Sequence, residues 1–388
     1  MVQGQLKQIK TVMIMAAGTG GHVFPALAVA ESLRAQGIEV HWLATRSGME
    51  HRLVGAKNIA LHPIDIQGLR GNGLKRLITA PFKIMAATIA AIRLMRSLNI
   101  DAVIGFGGYV AGPGGLAARL LGLPLVIHEQ NAIAGFTNTQ LARLATLVLQ
   151  AFPNTFAQSQ KVKTTGNPVR ADIASLPLPQ IRYAERDNLP LNILVVGGSL
   201  GAQALNERIP AALAGLDIPL NVMHQCGQQQ LQATQQRYTD LSSSQLAVQV
   251  VPFVDDMANA YARADLIICR AGALTVTEVA TAGIAAVFVP LPSAVDDHQT
   301  ANARYLVDCG AALLCPQASL TSESLMVTLQ PLMTRATLEA MAQKARQQAH
   351  PQATQQVCDL LLALSSQAVV AHNQSQSQSH NPSKDQSH

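Results

Sequence analysis

Three turns place glycines where a strand would hand over to a helix, and the chain's most chemical residues gather around them. The first is Gly18-Thr19-Gly20-Gly21-His22. Glycines let the backbone turn tightly and approach a ligand closely. A helix starting there offers unpaired N–H groups and about half a positive charge. Together these make an anion site; the plainer alternative is a tight turn with no ligand. Gly105-Phe106-Gly107-Gly108-Tyr109 and Gly197-Gly198-Ser199-Leu200-Gly201 repeat the pattern. Three such turns point to one or two phosphorylated ligands. The Walker pattern G-x-x-x-x-G-K-[ST] is absent. A dinucleotide site would want an acid at the end of the second strand. That strand ends Leu43-Ala44-Thr45-Arg46, which disfavours NAD and leaves only NADP open.

Further polar clusters follow apolar runs. Arg270-Ala271-Gly272-Ala273-Leu274-Thr275-Val276-Thr277-Glu278 leaves a strand, turns at glycine and enters a helix. Glu278, about one turn in, could accept bonds from two vicinal hydroxyls such as those of a ribose, or could simply complement the helix dipole. His128-Glu129-Gln130-Asn131 reads equally as a site or a solvated loop. Asp296-Asp297-His298-Gln299 resembles a ligand set, but adjacent acids in a polar loop are more often solvated. Neither it nor Asp255-Asp256 has Asp-x-Asp spacing, so no metal is expected.

The elements that must carry these residues alternate between short β-rich runs and longer helical patterns. Strands are expected at Thr11–Met15, Ile38–Ala44, Ala102–Ile104, Leu125–Ile127 and Thr146–Leu149. The series restarts at Ile193–Val196, with Val222–His224, Leu266–Cys269 and Ala286–Val289 to follow. A helix is expected from Val23 to Gln36. Such alternation implies an α/β fold with parallel sheets. Between Gly166 and Pro190 lie Pro168, Pro177, Pro179 and Pro190, which read as a linker. The expected division is 1–170, a linker at 171–190, 191–365, and a disordered Gln- and Ser-rich tail at 366–388. Two doubly wound domains facing across a cleft would bind ligands beyond the carboxyl ends of their strands.

Composition narrows the partners. The chain has 388 residues, 48% of them hydrophobic and 13% charged, about half the usual share of charge. Its net charge of +5 is unevenly spread: residues 1–170 carry +11 and residues 171–388 carry −6. Five cysteines without a C-x-x-C pair argue against a disulfide framework or zinc site and for a reducing compartment. No signal peptide or spanning helix is expected. The stretch Ile66–Ile100 lacks acids and carries Arg70, Lys75, Arg76, Lys83, Arg93 and Arg96 among Leu74, Phe82, Met85 and other apolar residues. It reads as an ordinary helix with a solvated basic face, or as a segment lying on an anionic membrane. Lys75, Arg76, Phe82 and Lys83 form the candidate membrane patch.

The segments GTGGHVFPALAVA, GLRGNG, GFGGYVAGPGGLAA, HEQNAIAGFTN, TGNPVR, VVGGSLGA, RAGALTVTE and DDHQTANA occur in this order. Over about Lys10 to Leu362 the chain thereby resembles the MurG family, the UDP-N-acetylglucosamine–N-acetylmuramyl-(pentapeptide) pyrophosphoryl-undecaprenol N-acetylglucosamine transferases. The resemblance implies a GT-B fold and inverting transfer of GlcNAc from UDP-GlcNAc to the C4 hydroxyl of MurNAc in lipid I, giving lipid II. It implies work at the cytoplasmic face of the bacterial inner membrane, as a peripheral protein without a cofactor. Nucleic acid is not expected as a partner; other cell-wall enzymes are candidate partners.

Carried over by position, the resemblance puts Thr19, Gly20 and Gly21 against sugar and diphosphate, and Asn131 near GlcNAc. Arg170 and Ser199 fall to the diphosphate, and Val254 to uracil. Ala273, Leu274, Thr275, Val276, Thr277 and Glu278 form the nucleotide wall, with Glu278 on the ribose. Gln299 takes sugar hydroxyls. The family often has Ile where Val254 stands, and His298 departs from the Gln of another member. Gly107, Gly108, Tyr109 and His128 are the candidates for the acceptor diphosphate. UDP leaves as a stable anion, so the site needs only a base and positive potential, unlike a glycosidase. His22 is the candidate base, since imidazole is partly neutral at cytoplasmic pH; Glu129 is the second candidate. A GT-B enzyme acting on another lipid such as diacylglycerol, a non-catalytic nucleotide-sugar binder, and an NADP oxidoreductase are the alternatives.

Overall fold

The computed structural model describes residues 8–66, 73–186, 189–198, 201–292 and 297–364; within 73–78 it describes backbone only. The chain forms two compact units that are not contiguous in sequence. The first takes residues up to His128, then Phe136–Leu149 and the chain from Thr354 onward; the second takes Glu129–Gly135 and Gln150–Ala353.

One sheet is built from β1 (Thr11–Ala16), β2 (Glu39–Thr45), β3 (Ala60–Ile64), β4 (Ala102–Gly107), β5 (Leu125–Glu129), β6 (Leu147–Gln150) and β7 (Val162–Thr164). Its order is β3-β2-β1-β4-β5-β6-β7. A second contains β8 (Leu191–Val196), β9 (Leu220–Gln225), β10 (Leu246–Val251), β11 (Leu266–Cys269), β12 (Ala285–Phe288) and β13 (Ala312–Leu314), in the order β10-β9-β8-β11-β12-β13. The pairings of β1 with β2 and β4, and of β8 with β9 and β11, are parallel. Both sheets therefore reverse their winding beside the first strand of the set. At such switch points the strand ends splay apart and leave room for a ligand.

Continuous apolar runs explain the central strands. Every residue of β1 and β4 is buried, as expected for parallel strands covered on both faces. On one face of the first sheet Val12, Ile14, Trp42, Ile104 and Phe106 pack with Val29 and Leu33 of the helix Gly20–Ala35. The Trp42 indole N–H donates to the Ala16 carbonyl at 2.9 Å, so its polar edge is satisfied inside the core. The last helix, residues 353–364, sends Val357, Cys358, Leu361 and Leu364 into this same core. Burying side chains of this kind stabilises by roughly 2 kcal/mol each. The helix was expected with the second domain; its apolar stripe does not say which sheet it covers.

The segment 171–190 differs from a solvated linker. It forms the helices Ala171–Ala174 and Pro179–Ala184. Arg182 is buried and donates to the carbonyls of Pro177, Tyr261, Ala282 and Gly283. Arg186 and Arg335 meet the buried Asp265 carboxylate at 2.8 and 3.2 Å, and the Asn192 N–H donates to it at 2.8 Å. These contacts fix the segment to the second unit. The expected tail at 366–388 lies outside the described residues.

Candidate active site

In the first unit the glycine turns meet at the carboxyl ends of the neighbouring strands β1 and β4. The helix begins at Gly20, three residues before the expected start, so Gly20, Gly21 and His22 occupy its first turn. Gly18 has φ of +100°, a left-handed value that favours glycine. Thr19 precedes the helix without a side-chain cap, and its Oγ1 lies 3.5 Å from His22 Nδ1. The His22 ring packs over Gly107: a Cβ there would lie 3.0 Å from the ring Cδ2 and 3.1 Å from Nε2. Gly108, at φ of +81°, runs against β1's continuation, where a Cβ would come within 2.3 Å of the Ala17 carbonyl oxygen. Tyr109 beside it is 53% exposed. At the end of β5 the buried His128 stacks on Phe106 at 5.4 Å between ring centroids. The structure thus gathers Thr19, Gly20, Gly21, His22, Gly107, Gly108, Tyr109 and His128 on three adjacent strand ends.

One residue that sequence reasoning missed supports this cluster. Glu50 is fully buried. Its Oε1 accepts from the Thr45 hydroxyl at 2.6 Å and backbone N–H at 3.3 Å, and its Oε2 faces the Gly18 N–H at 3.5 Å. A buried carboxylate held this way ties the end of β2 to the first glycine turn.

The second unit carries a candidate site of its own. Helix Ala273–Ala282 starts after Gly272 with no side-chain cap and no acid in its first turn. Helices Gly20–Ala35, Ala111–Leu120 and Gln203–Ala214 share both features. By contrast, the helices starting at Met257, Ser322 and Arg335 are capped by Asp256, Thr321 and Thr334. Helices Leu231–Leu241 and His298–Val307 also lack a side-chain cap and a first-turn acid, so an uncapped start permits an anion there without marking a site by itself. Glu278 is the sixth residue of its helix, beyond the reach of the dipole explanation. Its Oε2 accepts a 2.9 Å bond from the Tyr261 hydroxyl.

Burial pushes the Glu278 carboxyl up to about 7, while the Tyr261 bond and Arg170 pull it down and Asp172 pushes it up. Ordinary glutamate lies near 4.5, so the fold's preference for the protonated form stabilises fully below about pH 4.5 and is lost as pH rises through about 7. The span corresponds to on the order of 2 to 3 kcal/mol after discounting for partial exposure. Glu278→Gln cannot ionise. Relative to the parent it should gain about 2 kcal/mol between pH 5 and pH 8 in urea unfolding; an equal difference at both values would contradict the burial of this charge.

Around Glu278 a buried amide network sets the remaining residues. Glu129 accepts from the Asn131 N–H (3.0 Å) and side-chain amide (3.2 Å) through Oε1, and from the Gly135 N–H (3.1 Å) through Oε2. It closes the loop that presents Asn131. Asn302, unnoticed in sequence, donates to Asn131 Oδ1 and the Ala271 carbonyl and accepts from the Ala132 N–H. Asn167 donates to the Gln130 carbonyl and Thr277 Oγ1, both at 3.0 Å. Gln225 was also missed: Oε1 accepts from the N–H groups of Gly197 and Gly198, and Nε2 donates to the carbonyls of Gly198 and Pro252. It locks the third glycine turn to the segment preceding Val254. Ser199 itself lies outside the described residues.

Val254 is partly buried, at one end of a groove of about 420 Å³ that runs along β8, β9 and β10 to Asn192 and Asn221. The far part of that groove lies at the amino ends of those strands, away from the glycine turns. Gln299 accepts from the Leu291 N–H at 2.9 Å. Arg170 precedes the helix Ala171–Ala174 and stands 3.6 Å from Asp172. Asp256 caps its helix, and Asp297 accepts from the Thr300 hydroxyl.

The expected membrane stretch forms the helix Gly73–Ser97. Phe82, Met85 and Ile89 are 67, 56 and 42% exposed, at helical spacing. Lys83, Arg93 and Arg96 are exposed beside them. Leu116 and Leu120 of the contacting helix Ala111–Leu120 are exposed too. The side chains of Lys75 and Arg76 lie outside the described residues.

Models of known families match both halves of the chain. The model of the glycosyltransferase family 28 N-terminal domain matches residues 12–150, and that of the family 28 C-terminal domain matches residues 192–357. A protein of Acinetobacter baumannii (strain AYE) is 63% identical over 363 residues, 93% of this chain and 99% of its own length. One of Acinetobacter baylyi is 64% identical over 357 residues, 92% and 98% of the two chains. Both bear the name UDP-N-acetylglucosamine–N-acetylmuramyl-(pentapeptide) pyrophosphoryl-undecaprenol N-acetylglucosamine transferase. The crystal structure of Acinetobacter baumannii MurG superposes with a TM-score of 0.81 at 62% identity, covering 91% of this chain and 99% of that one. With two parallel, Rossmann-like sheets, matches to both family domains and near full-length relatives, the chain belongs to the MurG group of glycosyltransferase family 28.

Proposed function

We infer that the chain transfers GlcNAc from UDP-GlcNAc to the C4 hydroxyl of MurNAc in lipid I, forming lipid II with inversion at the anomeric carbon. The observation that carries this reading is the near full-length identity of 63% to relatives named for that transfer. The acceptor hydroxyl oxygen attacks the anomeric carbon and its proton passes to His22. The bond from that carbon to the β-phosphate oxygen breaks, and the electron pair leaves with UDP. His22 suits the base role better than Glu129, whose two oxygens brace its own loop. Thr19, Gly20, Gly21, Asn131 and Gln299 take the sugar and its hydroxyls. Arg170 and the turn containing Ser199 meet the diphosphate of the donor, where preorganised donors stabilise the charge that grows there. Val254 meets uracil, and Ala273 to Glu278 wall the nucleoside. Gly107, Gly108, Tyr109 and His128 take the acceptor diphosphate. The unit with the Gly18 and Gly107 turns serves the acceptor, the membrane and part of the donor sugar, and the unit with Ala273–Glu278 serves the donor nucleotide.

UDP release tests the activity. Release should require both UDP-GlcNAc and lipid I. Release with diacylglycerol in place of lipid I, or no release at all, would overturn the assignment.

We place this work at the cytoplasmic face of the inner membrane, a reading supported by the exposed Phe82, Met85, Ile89, Leu116 and Leu120 near the exposed Lys83, Arg93 and Arg96. No helix among the described residues is long and apolar enough to cross a membrane; the proposed attachment is peripheral. Each basic residue near an anionic surface contributes about 1 kcal/mol, less with salt. Reversing Lys83, Arg93 and Arg96 to Glu should lower partitioning onto phosphatidylglycerol vesicles at least tenfold. Partitioning equal to that of the parent would refute the patch.

A further inference from the structure

We propose that Tyr261 is a positioning residue that keeps the Glu278 carboxylate oriented for the ribose diol of the donor. The proposal rests on the reading of Glu278 as the ribose-binding carboxylate. Tyr261 lies in the helix Met257–Arg263 and is 1% exposed. Its hydroxyl donates to Glu278 Oε2 at 2.9 Å. Glu278 is partly exposed and its Oε1 carries no hydrogen bond from the described residues, so one oxygen remains for a ligand while the other is held. A phenol is suited to this task. Burial and the neighbouring carboxylate hold the Tyr261 hydroxyl well above its usual range, so it stays a donor throughout.

Among the described residues, the charged surroundings of Glu278 are few. Tyr261 faces it from one helix, Arg170 and Asp172 from the short helix and its start, and the buried Cys269 from β11. Burial raises the carboxyl towards neutrality, and the Tyr261 bond and Arg170 oppose that. Cys269, itself raised by burial, stays a neutral thiol. Tyr261 is therefore the neutral partner that favours the charged, ribose-accepting form. Removing its hydroxyl should cost binding chiefly where Glu278 is close to protonation. A merely structural role would cost binding at every pH.

UDP-GlcNAc is the probe for the test, because its phosphate diesters do not titrate near neutrality, unlike the terminal phosphate of UDP. Calorimetric affinities would be taken from about pH 6 to about pH 9 for the parent, Tyr261→Phe and Glu278→Gln. Parent affinity should fall below about pH 7. In Tyr261→Phe the midpoint should rise by about one pH unit. That makes the variant about fivefold weaker at pH 7 and within about twofold of the parent at pH 9. Glu278→Gln should be weak with no midpoint. Loss by one constant factor across the range in Tyr261→Phe, or no loss, overturns the proposal. Parent-like binding by Glu278→Gln overturns the ribose reading itself, and the proposal with it. If Tyr261→Phe does not fold, the parent labelled with 3-fluorotyrosine substitutes for it. The more acidic phenol should move the midpoint down, and an unmoved midpoint would be contrary.

Discussion

Replacing His22 by Ala should lower the turnover of GlcNAc transfer by two to four orders of magnitude, the usual contribution of a positioned proton acceptor. UDP binding should stay within about twofold of the parent. The expectation follows from placement. His22 stands in the first turn of the helix Gly20–Ala35, with Thr19 Oγ1 at 3.5 Å from Nδ1. If Nδ1–H donates to that hydroxyl, Nε2 is left with its lone pair, in the tautomer a base requires. Its ring rests on Gly107 and its own backbone N–H is spent on the Thr19 carbonyl. The nucleotide-wall residues all belong to the other compact unit, so truncation should not reach uridine recognition. Stopped-flow or steady-state turnover, read beside calorimetry with UDP, checks both parts. Unchanged turnover would remove His22 from the chemistry. Equal loss of turnover and UDP affinity would make it a donor-binding residue.

The second large effect is expected at Gly108. An added methyl would lie 2.3 Å from the Ala17 carbonyl oxygen, 3.0 Å from its carbonyl carbon and 3.0 Å from its nitrogen. None of these is the end of a flexible side chain, so backbone must move. The residue also sits at φ of +81°, which costs roughly 1 to 2 kcal/mol for a residue with a Cβ. Overpacking adds about 1 to 3 kcal/mol. Gly108→Ala should therefore lower stability by about 2 to 5 kcal/mol and separate the two glycine turns, with transfer falling at least a hundredfold. At Gly107 the same change presses on the His22 ring instead, a side chain that can shift. Its stability cost should be smaller and its loss of turnover still large. Denaturant unfolding and turnover of the two variants decide this. A stable, active Gly108→Ala protein would show that the turns do not need their close approach.

These two glycines also show how far the sequence could be read. The expected strands at Thr11–Met15, Leu125–Ile127, Ile193–Val196 and Leu266–Cys269 fall within β1, β5, β8 and β11, because a buried parallel strand is a plain apolar run. β10 was missed: LAVQVV is a half-exposed strand at the sheet's edge, and it alternates. β3 was hidden by Pro63, and β7 and β13 are only three residues long. Glycine turns announce themselves locally, whereas their supports do not. Glu50 lies 32 residues from Gly18, Gln225 27 residues from Gly198, and Asn302 171 residues from Asn131. Only folding brings them together. Gln225 left little trace, because the strand Leu220–Gln225 already carries Asn221 and His224.

The charge split has a physical counterpart as well. The basic surplus of residues 1–170 includes Lys83, Arg93 and Arg96, which the structure leaves exposed beside an apolar ridge. Arg182 and Arg186, by contrast, are consumed inside the second unit by carbonyls and by Asp265. Charge counted along the chain could not separate these uses, since burial decides which cations remain for a membrane or a diphosphate.

The central claim is the transfer itself, and product analysis tests it most directly. The chain would be incubated with UDP-GlcNAc and lipid I, and the lipid product examined by mass and by NMR of its new glycosidic bond. The account predicts lipid I bearing one added GlcNAc, joined in β configuration to the MurNAc C4 oxygen. Lipid I recovered unchanged, or GlcNAc attached elsewhere or with retained configuration, would contradict it.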